Sequence, residues 1–285
     1  MVIALSGPTG FIGRELMKKA VELGWLVKKI SREDFAMPDR EFREQKIEGV
    51  DAVINIAGSP VSGRWTPEFK QQILDSRIVT TRKISEAITS AESRPPVFIS
   101  ASAVGIYDSV STHTEASFAY AGSFLATVCR QWEEEGMKTA GAARLVILRI
   151  GLVLGKDGGA LEKMQKPFSI GLGGKIGNGR QPVSFIHIAD LAGAIVFIIG
   201  NPSLSGVVNA VSPYPTTNYE FTDKLGKALN QPAFLTVPAF ALKMIYGEGS
   251  QILLEGQRVL PEKLEKAGFR FKYPTIQNAL MQIYR

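Results

Sequence analysis

One short stretch near the N-terminus constrains this chain more than any other. Ser6-Gly7-Pro8-Thr9-Gly10-Phe11-Ile12-Gly13 follows an apolar run, Val2–Leu5, and opens an amphipathic segment from Arg14 to Gly24. That order spells strand, glycine turn and helix. Gly7 permits the tight turn. Gly10 lets the backbone approach a pyrophosphate with no Cβ in the way, and Gly13 lets the helix pack closely on the strand. Free N–H groups over Gly7, Thr9, Gly10, Phe11 and Ile12, with the positive end of the helix dipole, then suit phosphate oxygens. The glycines alone say little in a chain that has 28 of them. The strand before them and the helix after them make the pattern a dinucleotide site.

The first two-thirds of the chain repeats this unit. Short apolar runs at Val2–Leu5, Leu26–Ile30, Ala52–Ile56, Val97–Ser100 and Val146–Ile150 read as strands. Helical patterns at Phe11–Leu23, Pro67–Ala91 and Phe118–Thr139 separate them. Repeated βα units predict an α/β fold of Rossmann type, a doubly wound parallel sheet covered on both faces. Residues 155–182 are glycine-rich and read as a loop or flap on the substrate side. Ser184–Ile188 and Gly206–Val211 read as further strands around a helix, Ala189–Ile199. The expected division is a nucleotide-binding domain over residues 1–212 and a smaller, mostly helical substrate lobe over residues 213–285.

Composition narrows the function classes. With one cysteine, Cys129, and two distant histidines, His113 and His187, no metal site is expected. No apolar run reaches the roughly 20 residues of a membrane span. The first strand leads straight into the glycine turn and leaves no room for a signal peptide, so a cytoplasmic protein is expected. The net charge is +6, yet the basic residues are dispersed among acids, as in Arg40-Glu41-Phe42-Arg43-Glu44. A small-molecule substrate is expected rather than nucleic acid. His187 reads as structural, Cys129 as packing, and Glu133-Glu134-Glu135 as an exposed helix face.

The second strand selects the nucleotide. An acid at its end would bind the ribose 2′-hydroxyl of NAD, whereas an arginine accommodates the 2′-phosphate of NADP. Here Ser31 stands at the acid position and Arg32 follows, its guanidinium a planar fork suited to phosphate. NADP(H) is therefore preferred over NAD(H), with Glu33 and Asp34 counting against it if the strand ends two residues later.

Several further segments resemble the extended short-chain dehydrogenase/reductase superfamily. Gly7–Gly13 is similar to its glycine turn. Asn55-Ile56-Ala57-Gly58 looks like its segment beside the adenine ribose, which implies Ala57 and Gly58 as cofactor contacts. Ser100-Ala101-Ser102 looks like the segment bearing the active-site serine, which implies Ser102. Arg149–Gly155 and Phe185–Leu191 resemble later signatures. Ser59-Pro60-Val61, Arg64-Trp65, Gln131-Trp132-Glu133, the Gly171–Arg180 loop and Gly256–Pro261 narrow the resemblance to atypical epimerase-like proteins with a short C-terminal domain of their own. The resemblance implies an NADP(H)-binding Rossmann protein of poorly defined substrate.

The chain departs from that superfamily at its catalytic Tyr-x-x-x-Lys. With Trp132-Glu133 setting the register, Ser123 takes the tyrosine position and Thr127 the lysine position. Three explanations stay open: nucleotide binding without catalysis; a different acid, with Tyr107, Tyr120 or Glu115 as candidates; or a substrate that takes its proton from water. The sequence thus supports an NADP(H)-binding oxidoreductase or epimerase-like protein acting on a small carbonyl or sugar-like substrate. Ser102 and Tyr107 are the expected substrate-facing residues, and Lys175 and Arg180 suit an anionic substrate. The alternative is a non-catalytic NADPH-binding sensor or scaffold.

Overall fold

A computed structural model describes all 285 residues. Six strands form the central sheet: β1 (Val2–Ser6), β2 (Leu26–Ile30), β3 (Ala52–Asn55), β4 (Val97–Ala103), β5 (Arg144–Ile150) and β6 (Gly206–Ala210). They are all parallel, in the order β6-β5-β4-β3-β1-β2. The winding reverses between β1 and β3, so both chain directions leave a crevice at the carboxyl ends of these two strands. In open α/β sheets that crevice is where ligands bind.

Sequence and register explain the layers. β3 and most of β4 are buried on both faces, as the unbroken apolar runs require. Helices α1 (Phe11–Glu22) and α5 (Ile188–Gly200) cover one face, where Leu16, Ala20, Leu191 and Ile195 pack on Ile3, Leu5, Ile54 and Ile99. Helices α2 (Pro67–Ser90) and α3 (Phe124–Met137) lie against each other on the opposite side, where Ile84 and Ile88 of α2 pack on Ala4, Val53 and Phe98. α2 starts where Thr66 caps the Phe69 N–H with Pro67 in the first turn.

Two expected boundaries change. The helix read from Phe118 begins at Phe124, because Ser123 caps it by accepting the Ala126 N–H; residues 118–122 form a loop instead. The glycine-rich stretch 155–182 is not simply a loop. It contains α4 (Gly159–Ser169), and Gly174–Ile176 pairs in parallel with Leu235–Val237. Phe168 and Leu161 of α4 join Leu154, Phe185 and residues of α6 (Asn218–Ala228) and α7 (Ile276–Tyr284) in a second core. That core draws on residues before 213 as well as after it.

Two polar contacts fasten this lobe to the sheet. Asp190 accepts the Lys272 and Tyr273 N–H groups, and His187 caps α5 while its Nε2 meets Gln282. Burial lowers the His187 pKa, which keeps the ring neutral in its capping role.

The closest approach in the nucleotide domain is between α1 and the turn before it. A Cβ on Gly13 would lie 2.1 Å from the Gly7 carbonyl oxygen, whereas one on Gly10 would meet only that oxygen, at 3.4 Å. Gly13→Ala should therefore cost about 1–3 kcal/mol in urea unfolding of the nucleotide-free protein. Gly10→Ala should unfold close to wild type.

Candidate active site

The glycine turn sits at the carboxyl end of β1. Gly7 has φ +73°, and a Cβ there would press on the Ala57 backbone, so the turn and the segment after β3 lie against each other. Gly10 caps α1 without any side-chain partner, and no acid stands in the first turn. The leading N–H groups of α1 are thus free for an anion. Thr9 and Gly10 are exposed. Arg14 donates to the carbonyls of Thr9 and Asp157, which ties the turn to the stretch after residue 154. The Phe11 ring packs into Gly155, Gly158 and Gly159, and Ile12 packs on the sheet core, so these two residues offer backbone rather than side chain to the crevice.

Under the crevice runs a buried chain of hydrogen bonds. Ser6 donates to Asn55, Asn55 donates to Thr81 at 2.7 Å, and Trp132 donates to the same Thr81 oxygen at 2.8 Å. The Ala57 N–H closes the chain on Ser6. Gly58 lies under the Arg77 guanidinium, which donates to the Ser59 and Ile73 carbonyls. Burial lowers the Arg77 pKa. Ser31 and Arg32 follow β2, and Arg32 is exposed.

Ser102 and Arg149 are direct neighbours in the β4–β5 register. Between them and α3 sits a closed polar cluster. Glu133 accepts Arg149 Nε at 2.8 Å and Nη2 at 2.7 Å, a two-pronged ion pair, and it accepts the Ser102 hydroxyl at 2.6 Å. Arg149 is 1% exposed and Glu133 4%. Burial works against the Arg149 charge, but the Glu133 carboxylate outweighs it and pushes the Arg149 pKa up. The guanidinium also lies 4.8 Å from the Tyr107 ring and 5.3 Å from the Tyr120 ring, and Nη2 reaches the Tyr120 hydroxyl at 3.3 Å.

The two tyrosines of this loop differ. Tyr107 is fully buried, and its hydroxyl donates to Asn209 or to the Thr114 carbonyl. Burial raises its pKa. The expected substrate-facing role therefore does not suit Tyr107; its ring supports Arg149 from below. Tyr120 bridges to Tyr107 and is 37% exposed. Glu115 is a clamp, accepting the Asn209 and Lys263 N–H groups, with its pKa raised by burial. Ser102 is 3% exposed and held by Glu133.

The sequence segments containing Glu133 and Arg149 carry the family resemblance but give neither residue a site role, and the reading of 133–135 as an exposed face is corrected: Glu133 and Glu135 are buried, Glu134 alone is exposed. A signal existed. Cys129 reads as buried, and Glu133 stands four residues later on the same face of α3. No three His, Cys, Asp or Glu side chains gather as a metal site, and no helix is long and apolar enough to cross a membrane.

Residues 3–210 match the NAD dependent epimerase/dehydratase family, and residues 237–283 match a domain of unknown function, DUF1731. The chain belongs to that epimerase/dehydratase family, within the short-chain dehydrogenase/reductase superfamily. It is 40% identical to the Arabidopsis thaliana epimerase family protein SDR39U1 homolog, chloroplastic, over 99% of this chain and 86% of the relative. The crystal structure of human epimerase family protein SDR39U1 (isoform 2) with NADPH superposes with a TM-score of 0.93 at 32% identity, covering 100% of this chain and 99% of the human one. UDP-glucose 4-epimerase from Thermus thermophilus, in complex with NAD, shares the fold, with a TM-score of 0.77 at 18% identity over 100% of this chain and 98% of that one.

Two measurements probe the cluster. Glu133→Gln strands the Arg149 charge in the interior and should cost about 3–5 kcal/mol in chemical unfolding, whereas Glu134→Gln should be neutral. Burial pushes the Cys129 thiol up to about 11, so the native protein should not react with a thiol reagent at pH 8 and should react fully once unfolded.

Proposed function

We propose that this protein is an NADP(H)-dependent oxidoreductase or epimerase-like enzyme acting on a small carbonyl or sugar-like substrate, without the usual Tyr-x-x-x-Lys pair. One observation carries the reading. The uncapped N-terminus of α1 opens beside the ends of β2 and β3, with Arg32 exposed next to Ser31. Gly7, Thr9, Gly10, Phe11, Ile12 and Gly13 would hold the pyrophosphate through backbone, Arg32 and Ser31 the 2′-phosphate, and Ala57 and Gly58 the adenosine. The NADPH in the human relative supports the nucleotide choice.

Tyr120 is our choice for the proton donor. Its hydroxyl belongs to the exposed tyrosine of the loop, and it accepts from Arg149, a fixed cation on β5, whereas the lysine position on α3 carries Thr127. An exposed phenol held in place by a fixed partner can present its hydroxyl to a substrate oxygen. Ser102 would then act through Glu133, and Tyr107 through Arg149. Lys175 and Arg180 favour an anionic substrate.

A second reading is an NADPH sensor without chemistry. It is favoured by Ser123 and Ser102, whose hydroxyls are committed to capping α3 and to Glu133.

Single-turnover NADPH oxidation over a panel of carbonyl compounds separates the two. The enzyme reading expects hydride transfer to at least one, and a loss of about 10²-fold in Tyr120→Phe with nucleotide affinity unchanged. Tight NADPH binding with no oxidation across the panel would favour the sensor. Arg32→Ala should weaken NADPH by about tenfold and leave NADH nearly unchanged in the same titration.

A further inference from the structure

Lys46 lies 15 residues beyond the end of the second strand's expected phosphate site at Ser31, yet the fold returns it there. A short helix, Asp39–Phe42, runs directly into one wider π-type turn, Arg43–Ile47. The wider turn lets Phe42 and Ile47, five residues apart, both point into the core, where each is fully buried. In a regular helix that spacing would splay them by about 140°. The residue before Ile47 is thereby directed back along β2, and π-type turns of this kind are frequent at functional sites.

There Lys46 Nζ meets Asp34 Oδ1 at 2.9 Å and donates to the Lys29 carbonyl at 3.1 Å. The other Asp34 oxygen accepts the Ser31 N–H at 2.6 Å and the Ser31 hydroxyl at 2.9 Å. Both carboxylate oxygens are thus engaged within the protein. Asp34 cannot turn to grip a ribose diol without giving up these partners. Although burial opposes its charge, hydrogen bonds from Lys46 and Ser31 hold its carboxyl below the ordinary aspartate range.

Five charged side chains stand at or beside this end of β2: Lys29, Arg32, Glu33, Asp34 and Lys46. With Lys46 present their formal charge is +1. Without it the positive excess is gone, which disfavours a phosphate monoester that carries nearly two negative charges.

We propose that Lys46 is a specificity-determining residue for the cofactor: by neutralising and pinning Asp34, it keeps that carboxylate from opposing a 2′-phosphate at the end of β2. The proposal rests on the NADP(H) reading above and adds to it the residue that makes Arg32 effective. A dinucleotide without the 2′-phosphate is indifferent to this charge; one that bears it is not.

The test is titration of the full chain with NADPH and with NADH, followed by nucleotide fluorescence, for the wild type and three variants. Lys46→Met should weaken NADPH by about tenfold and change NADH by less than about twofold. Lys46→Arg should keep the wild-type preference. Lys46→Met combined with Asp34→Asn, which removes the stranded acid, should regain most of the NADPH affinity. A purely structural role would weaken both nucleotides equally; an unchanged NADPH-to-NADH ratio in Lys46→Met overturns the proposal. Should Lys46→Met fail to fold, Asp34→Asn alone decides. It removes a negative charge beside the phosphate and should tighten NADPH more than NADH, and no change in the ratio overturns the proposal. A wild type that binds NADH as tightly as NADPH sinks the cofactor reading itself, a result distinct from preference that persists without Lys46.

Discussion

The contact between Gly13 and the Gly7 carbonyl is the constraint on which the nucleotide domain depends. With 2.1 Å between a notional Cβ and that oxygen, α1 can lie this close to β1 only if residue 13 has no side chain. The close approach aims the first turn of α1 at the carboxyl ends of the strands and leaves its N–H groups uncapped. Because all six strands are parallel, every other candidate residue then arrives on the same edge: Ser31 and Arg32 after β2, Ala57 and Gly58 after β3, Ser102 on β4, Arg149 on β5. One tight packing contact thus orients the helix, and the sheet gathers the rest.

The buried Arg149–Glu133 pair is the second organising element, and it differs in kind. A buried ion pair is weak evidence of stability, since desolvation takes back much of the attraction. Its geometry is what matters. Both prongs of the guanidinium and both oxygens of the carboxylate are used, Ser102 is held on one of those oxygens, and two tyrosine rings flank the cation. The result is a fixed positive group at the strand ends, placed by a strand rather than by the helix that carries the lysine elsewhere in the superfamily. At the positions of the superfamily's Tyr-x-x-x-Lys this helix carries Ser123 and Thr127, while the sheet brings Arg149 against Tyr120 of the preceding loop.

The legibility of these features followed their range in sequence. The glycine turn was readable because all its requirements fall within eight residues, and the strands because burial on both faces demands unbroken apolar runs. The end of β2 at Ile30, just before Ser31 and Arg32, is readable because a strand end is a local event. Glu133 reads as exposed from sequence because a run of three acids on a helix looks solvated until a partner is known, and Arg149 lies on another element. Tyr107 and Tyr120, on one loop, cannot be ranked by sequence, because what distinguishes them is that Tyr107 is packed among Cys129, Val211 and Val259 and stacked on His113. The helix start was misplaced by six residues because the apolar pattern runs on into the loop, while the Ser123 cap decided the boundary.

A parallel α/β sheet with a glycine turn after its first strand is already written in the order of residues, because alternation of strand and helix and glycine conformational freedom are properties of short segments. Which charges meet depends on how those segments assemble. Glu133 reaches Arg149 across 16 residues and Lys46 reaches Asp34 across 12, and the residues between do not encode either pairing. A charge buried or turned toward the crevice is settled by the packing of whole elements, through the cost of leaving it unpaired in the interior. The turn at Gly7–Gly13 marks the dinucleotide site; the assembled fold sets which charged groups stand beside it.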